Sequence, residues 1–308
     1  MNTSSILENL YEITDKNNVL VNEEMSRHTT FKTGGPADIF VMPGNKEEAA
    51  SIVRLLLVEK IPYMVIGNGS NLLVSDKGFR GCIVCMSKGM DEILRDGNVI
   101  HAGAGALLTK VCRVAYENSL SGLVFASGIP GSVGGAVYMN AGAYGGEMKD
   151  VIREVELLDA LTGEIKVVSG DDMGFSYRTS IVKNSSYIVL SATFELCEGD
   201  MAEIKGGMDE LAKKRRDKQP LEYPSAGSTF KRPEGYFAGK LIEDAGLRGY
   251  CVGGASVSEK HCGFVINKDN ATTEDIITLI RDVRHIVNDK FNVYLEPEVC
   301  LVGEDLLL

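Results

Sequence analysis

Several things are missing from this 308-residue chain, and each absence closes off a class of function. No apolar run comes near the roughly 20 residues that span a bilayer, so no membrane helix is expected. The start, Met1-Asn2-Thr3-Ser4, has neither a basic nor an apolar stretch, so no export signal is visible. Basic charge is not in excess: the formal net charge is −11, the opposite of the broad basic footprint that nucleic acid demands. The seven cysteines, Cys82, Cys85, Cys112, Cys197, Cys251, Cys262 and Cys300, are odd in number and scattered through apolar runs. That is the pattern of reduced, buried thiols rather than of a disulfide framework. Cys82 and Cys85 form a CxxC, but residues three apart on an extended strand face opposite ways, so their sulfurs should diverge. No second pair stands at zinc-finger spacing, and His28, His101, His261 and His285 lack ligand spacing, so no metal is expected. There is no GxGxxG dinucleotide fingerprint, no internal repeat and no low-complexity tract. The expectation is a cytoplasmic protein, with about 150 residues to each of two domains.

Glycine is plentiful, and two glycine-rich segments carry most of the information. The first, Gly67-Asn68-Gly69-Ser70-Asn71, follows a short apolar run, Tyr63-Met64-Val65-Ile66. A strand ending in a tight glycine loop can turn successive N–H groups inward to make an anion nest. The second runs from Gly128-Ile129-Pro130-Gly131-Ser132-Val133-Gly134-Gly135 through Asn140-Ala141-Gly142-Ala143-Tyr144-Gly145-Gly146. Its apolar Ile129, Val133, Val137, Tyr138 and Met139 set it apart from a flexible Gly/Ser linker. Pro130-Gly131 fits the centre of a type II turn with Gly131 left-handed. Ser132 is placed to cap a helix through Tyr138 whose unpaired N–H groups would face an anion such as a pyrophosphate. Two such cradles imply one ligand carrying two phosphates.

Helical periodicity covers residues 47–60, where Ala49, Ile52, Val53 and Leu56 share a face and Pro62 stops the run. It recurs over 107–116, near 238–245, and over 273–289, with Thr272 as N-cap. Strands are expected over 82–86, 99–102, 151–158, 165–168, 186–194 and near 262–267, and residues 291–302 read as a closing strand. From about Met201 the chain turns into a charged helix ending in Lys213-Lys214-Arg215-Arg216-Asp217-Lys218, which marks a candidate domain boundary.

Three further motifs can carry chemistry: Tyr177-Arg178 between hydroxyl residues, Ala226-Gly227-Ser228 in a proline-bounded loop, and Glu296-Pro297-Glu298 near the C-terminus. Each alone also has an ordinary reading as a surface charge, a turn or a solvated acid. Together with Thr30-Phe31-Lys32-Thr33-Gly34-Gly35-Pro36-Ala37, the two glycine segments and Lys218-Gln219-Pro220, they closely resemble the UDP-N-acetylenolpyruvoylglucosamine reductase (MurB) family, from about Arg27 to Gly303. No tyrosine-bearing loop of the longer members is evident, so the resemblance is to the shorter type, with Tyr236 as a candidate to close over substrate.

The resemblance implies an α+β chain: a two-part FAD-binding domain of the vanillyl-alcohol-oxidase/PCMH type plus a C-terminal α+β substrate domain. Residues 1–29 would be an N-terminal helix and lead-in, 30–200 the flavin domain (parts about 30–77 and 78–200), and 201–308 the substrate domain, its last strand bearing a catalytic glutamate. It implies noncovalent FAD held by Gly67, Asn68, Gly69, Ser70, Asn71, Ile129, Pro130, Gly131, Ser132, Gly134 and Gly135. NADPH is the implied co-substrate, and UDP-N-acetylglucosamine enolpyruvate is the implied substrate, held through Tyr177 and Lys218. Hydride would go to C3 of the enolpyruvyl ether, Arg178 and Glu298 would polarise its carboxylate, and Ser228 would protonate C2 to give the lactyl ether of UDP-N-acetylmuramate, a peptidoglycan precursor. An anion beside an anion is unfavourable, so Glu298 is expected to act protonated, as a hydrogen-bond donor. A monomer or weak homo-oligomer is expected. The competing readings are another flavoprotein of the same broad fold, such as an alcohol oxidase, and a flavin- or sugar-nucleotide-binding protein without turnover.

Overall fold

A computed structural model describes residues 3–303 and 306. The chain sorts into two units of contact. The first comprises the chain up to Val21, Ile39–Asn68 and Gly81–Lys213; the second comprises Asn22–Asp38, Gly69–Arg80 and Lys214 onward. The first glycine loop is thus divided, with Gly67 and Asn68 in one unit and Gly69, Ser70 and Asn71 in the other. Seven helices are present among the described residues: α1 (Thr3–Ile13), α2 (Lys46–Val58), α3 (Leu108–Glu117), α4 (Val133–Tyr138), α5 (Met201–Lys218), α6 (Ala238–Asp244) and α7 (Thr273–Phe291).

In the first unit, α2 begins where Asn45 accepts a hydrogen bond from the Glu48 amide at 2.8 Å. The predicted face of α2 is buried: Ala49, Ile52, Val53 and Leu56 pack with Ile39, Val41, Cys82 and Val84. The strand Tyr63–Ile66 lies parallel to Phe79–Cys85, with Tyr63 opposite Cys82 and Ile66 opposite Cys85. A five-stranded antiparallel sheet follows in the order Ile165–Ser169, Ile152–Asp159, Tyr187–Glu195, Val99–Gly103, Ile93–Asp96. The hairpin read at Thr162-Gly163 joins its first two strands. The sheet's apolar face meets α3 and α4 in a core that includes Ile100, Ala102, Val111, Val133, Val137, Leu157 and Phe194. The CxxC sulfurs do diverge. Cys82 sits in the core beside α2, whereas Cys85 Sγ lies 3.7 Å from the Gly67 carbonyl and 3.0 Å from Ser87 Oγ.

In the second unit, α7 packs its Ile276, Leu279, Ile280 and Val283 face into a core with Phe31, Leu73, Val257 and Val265. Thr272 and Asp275 form a capping box at its start. Asp76 accepts from the Thr273 and Glu274 amides at 2.9 and 3.0 Å, so a second carboxylate meets the positive end of the helix dipole. Three short antiparallel strands, Cys251–Val252, Ala255–Val257 and Val265–Asn267, lie against it. The closing strand read over 291–302 is corrected. α7 runs on to Phe291 and stops at Asn292, whose left-handed φ of 52° ends the helix. Only Cys300–Val302 forms a regular strand, parallel to Leu72–Val74. Glu298 therefore precedes the last strand and is not on it.

Candidate functional site

Within the first unit the two glycine segments meet. A Cβ at Gly67 would stand 2.0 Å from Ser132 Oγ, so glycine is required there by contact with the second segment. Asn68 reaches the same place, donating its side-chain amide to the Pro130 carbonyl at 2.6 Å. The two segments are thus joined by the Asn68 side chain and by the close approach of Gly67 to Ser132.

Ser132 caps α4, accepting from the Gly135 amide at 3.4 Å. The helix start does not, however, offer open N–H groups to an anion. Val133 and Gly134 donate to the Ala106 and Ala104 carbonyls, both at 2.8 Å, and Ala136 donates to Ser132. The turn at Pro130-Gly131 also differs from expectation. Among the described residues the glycines with positive φ include Gly69, Gly122 and Gly145 but not Gly131. Gly131 instead bends the chain and accepts from the Leu108 amide at 3.0 Å, and Ser132, extended, bridges Leu107 antiparallel. The donors left over are elsewhere. Among the described residues the N–H groups of Asn68, Gly131 and Ser132 in the first unit, and those of Gly69 and Ser70 in the second, donate to no protein acceptor. Backbone donors left without a protein partner in folded loops call for water or a ligand.

The downstream part of the glycine segment serves a different purpose. Gly142–Ala143 and Gly146–Glu147 pair as a small hairpin turning at Tyr144 and Gly145, with φ of 52° and 93°. Asn140, buried and itself left-handed, donates to Glu147 Oε2 at 2.8 Å and to the Ser176 carbonyl at 3.1 Å, and accepts from the Lys149 amide at 3.0 Å. It thereby fixes the turn that carries Arg178. Ser176 and Thr179 exchange backbone hydrogen bonds across Tyr177 and Arg178, and Arg178 takes a φ of 56°. A left-handed arginine costs on the order of 1 kcal/mol or more and persists where surroundings dictate it. The guanidinium lies 5.2 Å from the Tyr177 ring centroid, and its charge helps hold the Glu147 carboxyl below the usual carboxylate range, chiefly set by Lys149. Asn140 was not singled out from sequence. Nothing local to it signals the bond to Ser176.

In the second unit Gly69 is left-handed, with a φ of 59°, and a Cβ there would stand 1.9 Å from the His28 carbonyl. Thr30 donates its amide to the Gly69 carbonyl at 3.2 Å, so the Thr30–Ala37 motif buttresses this half of the loop. The buried hydroxyls of Thr30 and Thr33 find no protein partner, a second sign of a site built around something else.

Ser228 and Glu298 come together here. Phe230 bridges Pro297 antiparallel, the Glu298 amide donates to the Thr229 carbonyl at 2.8 Å, and Lys231 donates to the Glu296 carbonyl at 2.8 Å. Ser228 is exposed and Glu298 half-buried. The Thr229 amide bonds the Gly263 carbonyl at 2.9 Å, which brings in His261. That ring packs edge-on to Phe264 and accepts from the Gly263 amide; burial, then the charges of Arg248 and Lys218, lower its pKa. Lys218, the exposed last residue of α5, thus bears on the ground of Ser228 and His261. Arg178 and Tyr177 belong to the first unit. Tyr236 is exposed on the loop before α6. No cluster of metal-ligating side chains occurs among the described residues, and no helix is long and apolar enough to cross a membrane.

Comparison with known proteins gives the family. Residues 219–302 match the profile described as UDP-N-acetylenolpyruvoylglucosamine reductase, C-terminal domain, and residues 37–169 match that described as FAD binding domain. A UDP-N-acetylenolpyruvoylglucosamine reductase of Agathobacter rectalis is 56% identical over 298 residues, covering 93% of this chain and 94% of that one. The crystal structure of the Thermus caldophilus enzyme of that name is 34% identical, covers 92% of this chain and 98% of its own, and superposes with a TM-score of 0.79. Phl p 4.0202, a glucose dehydrogenase, is only 17% identical, with 70% of this chain and 50% of that one covered and a TM-score of 0.51, so it speaks to the fold alone. The chain is an α+β flavoprotein with a vanillyl-alcohol-oxidase/PCMH-type domain, and it belongs to the UDP-N-acetylenolpyruvoylglucosamine reductase family.

Proposed function

We propose that the protein reduces UDP-N-acetylglucosamine enolpyruvate to UDP-N-acetylmuramate with NADPH, and that Ser228, Glu298 and Arg178 carry the protein's part of the chemistry. The observation that carries this reading is the bonding of the Glu298 backbone to Thr229, which sets the acid beside the residue following Ser228. Among the described residues the amides of Asn68, Gly131 and Ser132 in one unit, and of Gly69 and Ser70 in the other, have no protein acceptor, which supports a bound FAD diphosphate. Gly67, Asn71, Ile129 and Pro130 complete the set of residues proposed to hold FAD. Gly134 and Gly135 contribute shape, since their amides are used within the protein. Bound FAD supplies the hydride that reaches C3 of the enolpyruvyl group.

The chain's own groups then answer the charge that develops. As C3 gains a hydride, negative charge builds at C2 and spreads into the substrate carboxylate. Arg178 meets that charge as a fixed cation and Glu298 as a protonated donor; losing one such group commonly costs about 10²–10³ in rate. Ser228 passes its hydroxyl proton to C2, which completes the lactyl ether. A serine is a weak acid in water, but a carbanion-like centre is a strong enough base to take its proton. Lys218 holds the UDP phosphates and Tyr177 the sugar side of the substrate. The protein works in the cytoplasm as a monomer or weak homo-oligomer, and the residues of 30–200 and 201–308 divide the flavin and substrate duties.

Anaerobic stopped-flow separates the two halves. In Ser228→Ala, NADPH should bleach the flavin at the wild-type rate while reoxidation by the enolpyruvyl substrate falls by about 10²-fold or more. Reoxidation at the wild-type rate would remove Ser228 from the reaction.

A further inference from the structure

Glu298 has both of its backbone groups held. Its N–H goes to Thr229 at 2.8 Å, on the Ser228 loop. Its carbonyl accepts from the Asn71 side-chain amide at 3.1 Å, on the glycine loop. Asn71 takes a second grip: its own carbonyl accepts from the Cys300 amide at 2.9 Å, and from there the parallel ladder runs on through Cys300–Leu72, Leu301–Leu73 and Val302–Val74. Between the two grips Val299 is buried in the core of the second unit. Glu298 beside it is only half-buried. The preceding residues are held as well, by the Lys231 amide on the Glu296 carbonyl and by the buried Arg284, whose Nε donates to the Leu295 carbonyl at 3.1 Å. Of these grips, Asn71 alone joins the acid to the cofactor loop with a side chain.

We propose that the Asn71 side chain is a positioning residue for Glu298: it ties the acid's backbone to the loop that binds the FAD diphosphate, so that the two are set in one register. This rests on the proposed role of Glu298. The chemistry suits asparagine. A carboxamide is a neutral donor to a carbonyl, whereas the isosteric carboxylate has no proton to give and would face the Glu298 carbonyl with a like partial charge. The side-chain amide of Asn71 is thereby committed within the protein.

The test uses the yellow holoenzyme. Asn71→Asp and Asn71→Ala are compared with wild type at saturating FAD, so that only the loaded protein is read. Any effect on bleaching by NADPH sets the baseline for each variant. Reoxidation by the enolpyruvyl substrate should slow by roughly 5- to 20-fold beyond that baseline, the loss of one half-buried hydrogen bond. Its pH dependence should move in the direction seen for Glu298→Gln, and the double variant Asn71→Ala/Glu298→Gln should be no slower than Glu298→Gln alone. Three results would overturn the proposal: wild-type reoxidation in Asn71→Asp, a loss in bleaching as large as the loss in reoxidation, or losses that multiply independently in the double variant. If Glu298→Gln itself reoxidises normally, the role of Glu298 has failed and the assignment of Asn71 falls with it.

Discussion

Gly67→Ala is the sharpest perturbation of the cofactor cradle. The added carbon would stand 2.0 Å from Ser132 Oγ and 3.0 Å from Ser132 Cβ, both well inside van der Waals contact. Ser132 can relieve the first contact by rotating its hydroxyl away, but it then gives up the cap on the Gly135 amide, a loss of about 1 kcal/mol. The second contact survives that rotation, so the loop and the start of α4 must also separate. Overpacking of this kind adds about 1–3 kcal/mol. The expected total is about 2–4 kcal/mol, which weakens FAD affinity by roughly 30- to 700-fold if the strain is borne by the holo form. Visible absorbance after exhaustive dialysis reads the occupancy, and urea unfolding reads the stability. A second substitution isolates the cause. Ser132→Ala alone should cost about 1 kcal/mol, yet in the Gly67→Ala background it removes the colliding oxygen and should cost nothing or restore part of the loss. A Gly67→Ala protein that stays yellow with an unchanged unfolding midpoint would refute the argument, as would strict additivity of the two changes.

Acid should weaken the fold through His261, and thiol reagents should discriminate among the cysteines. Burial, with Arg248 and Lys218 adding to it, lowers the folded-state pKa of His261 below its ordinary value of 6.5. The unfolded chain therefore takes up the proton first, so stability is flat above pH 6.5 and falls as the pH drops from there towards the folded-state value. His261→Gln should flatten that part of the curve in urea titrations at pH 7.5 and 5.5; an unaltered slope would assign it to other groups. Burial also pushes the Cys82 and Cys112 thiols up to about 12 and raises Cys85, while Cys197 and Cys251 are exposed. Iodoacetamide at pH 8 should label Cys197 and Cys251 in the native protein and reach Cys82 and Cys112 only after unfolding, as peptide mass spectrometry can show. Equal labelling rates would contradict the burial.

The helices were legible because their code is local. Ala49, Ile52, Val53 and Leu56 recur at the helical period, and Asn45 and Thr272 stand where caps belong. The segment after α7 shows where that code stops. Leu295, Pro297 and Val299 alternate with polar residues as a strand does, but the segment forms a single isolated bridge at Pro297 and bends at Val299. Its partners, however, are the loop at 229–231 and the Asn71 amide rather than a sheet, and Pro297 has no N–H to give a ladder. Pro130-Gly131 misled for a related reason. The dipeptide marks a type II turn in isolation, but the Leu108 amide takes the Gly131 carbonyl and Gly131 does not adopt the positive φ that such a turn needs. The amides of Val133 and Gly134 read as open for the same cause: the carbonyls of Ala104 and Ala106 that consume them are distant in sequence.

These successes and failures follow from what each interaction asks of a side chain. A close approach that leaves no room for a Cβ forces glycine, so the contact of Gly67 with Ser132 is written in the sequence as a glycine even though its partner is not. The contact of Glu298 with Thr229 is made by an N–H and a carbonyl, which every residue but proline possesses, and it leaves no mark at either position. Ser228 and Glu298 therefore emerged only through the pattern of a family, whereas the cradle could be argued from glycine alone. Asn71 lies between the two cases. Its amide is a specific side chain making a specific bond, but an asparagine after Gly-Ser reads equally well as part of an anion loop, and only the position of the Glu298 carbonyl tells the two uses apart.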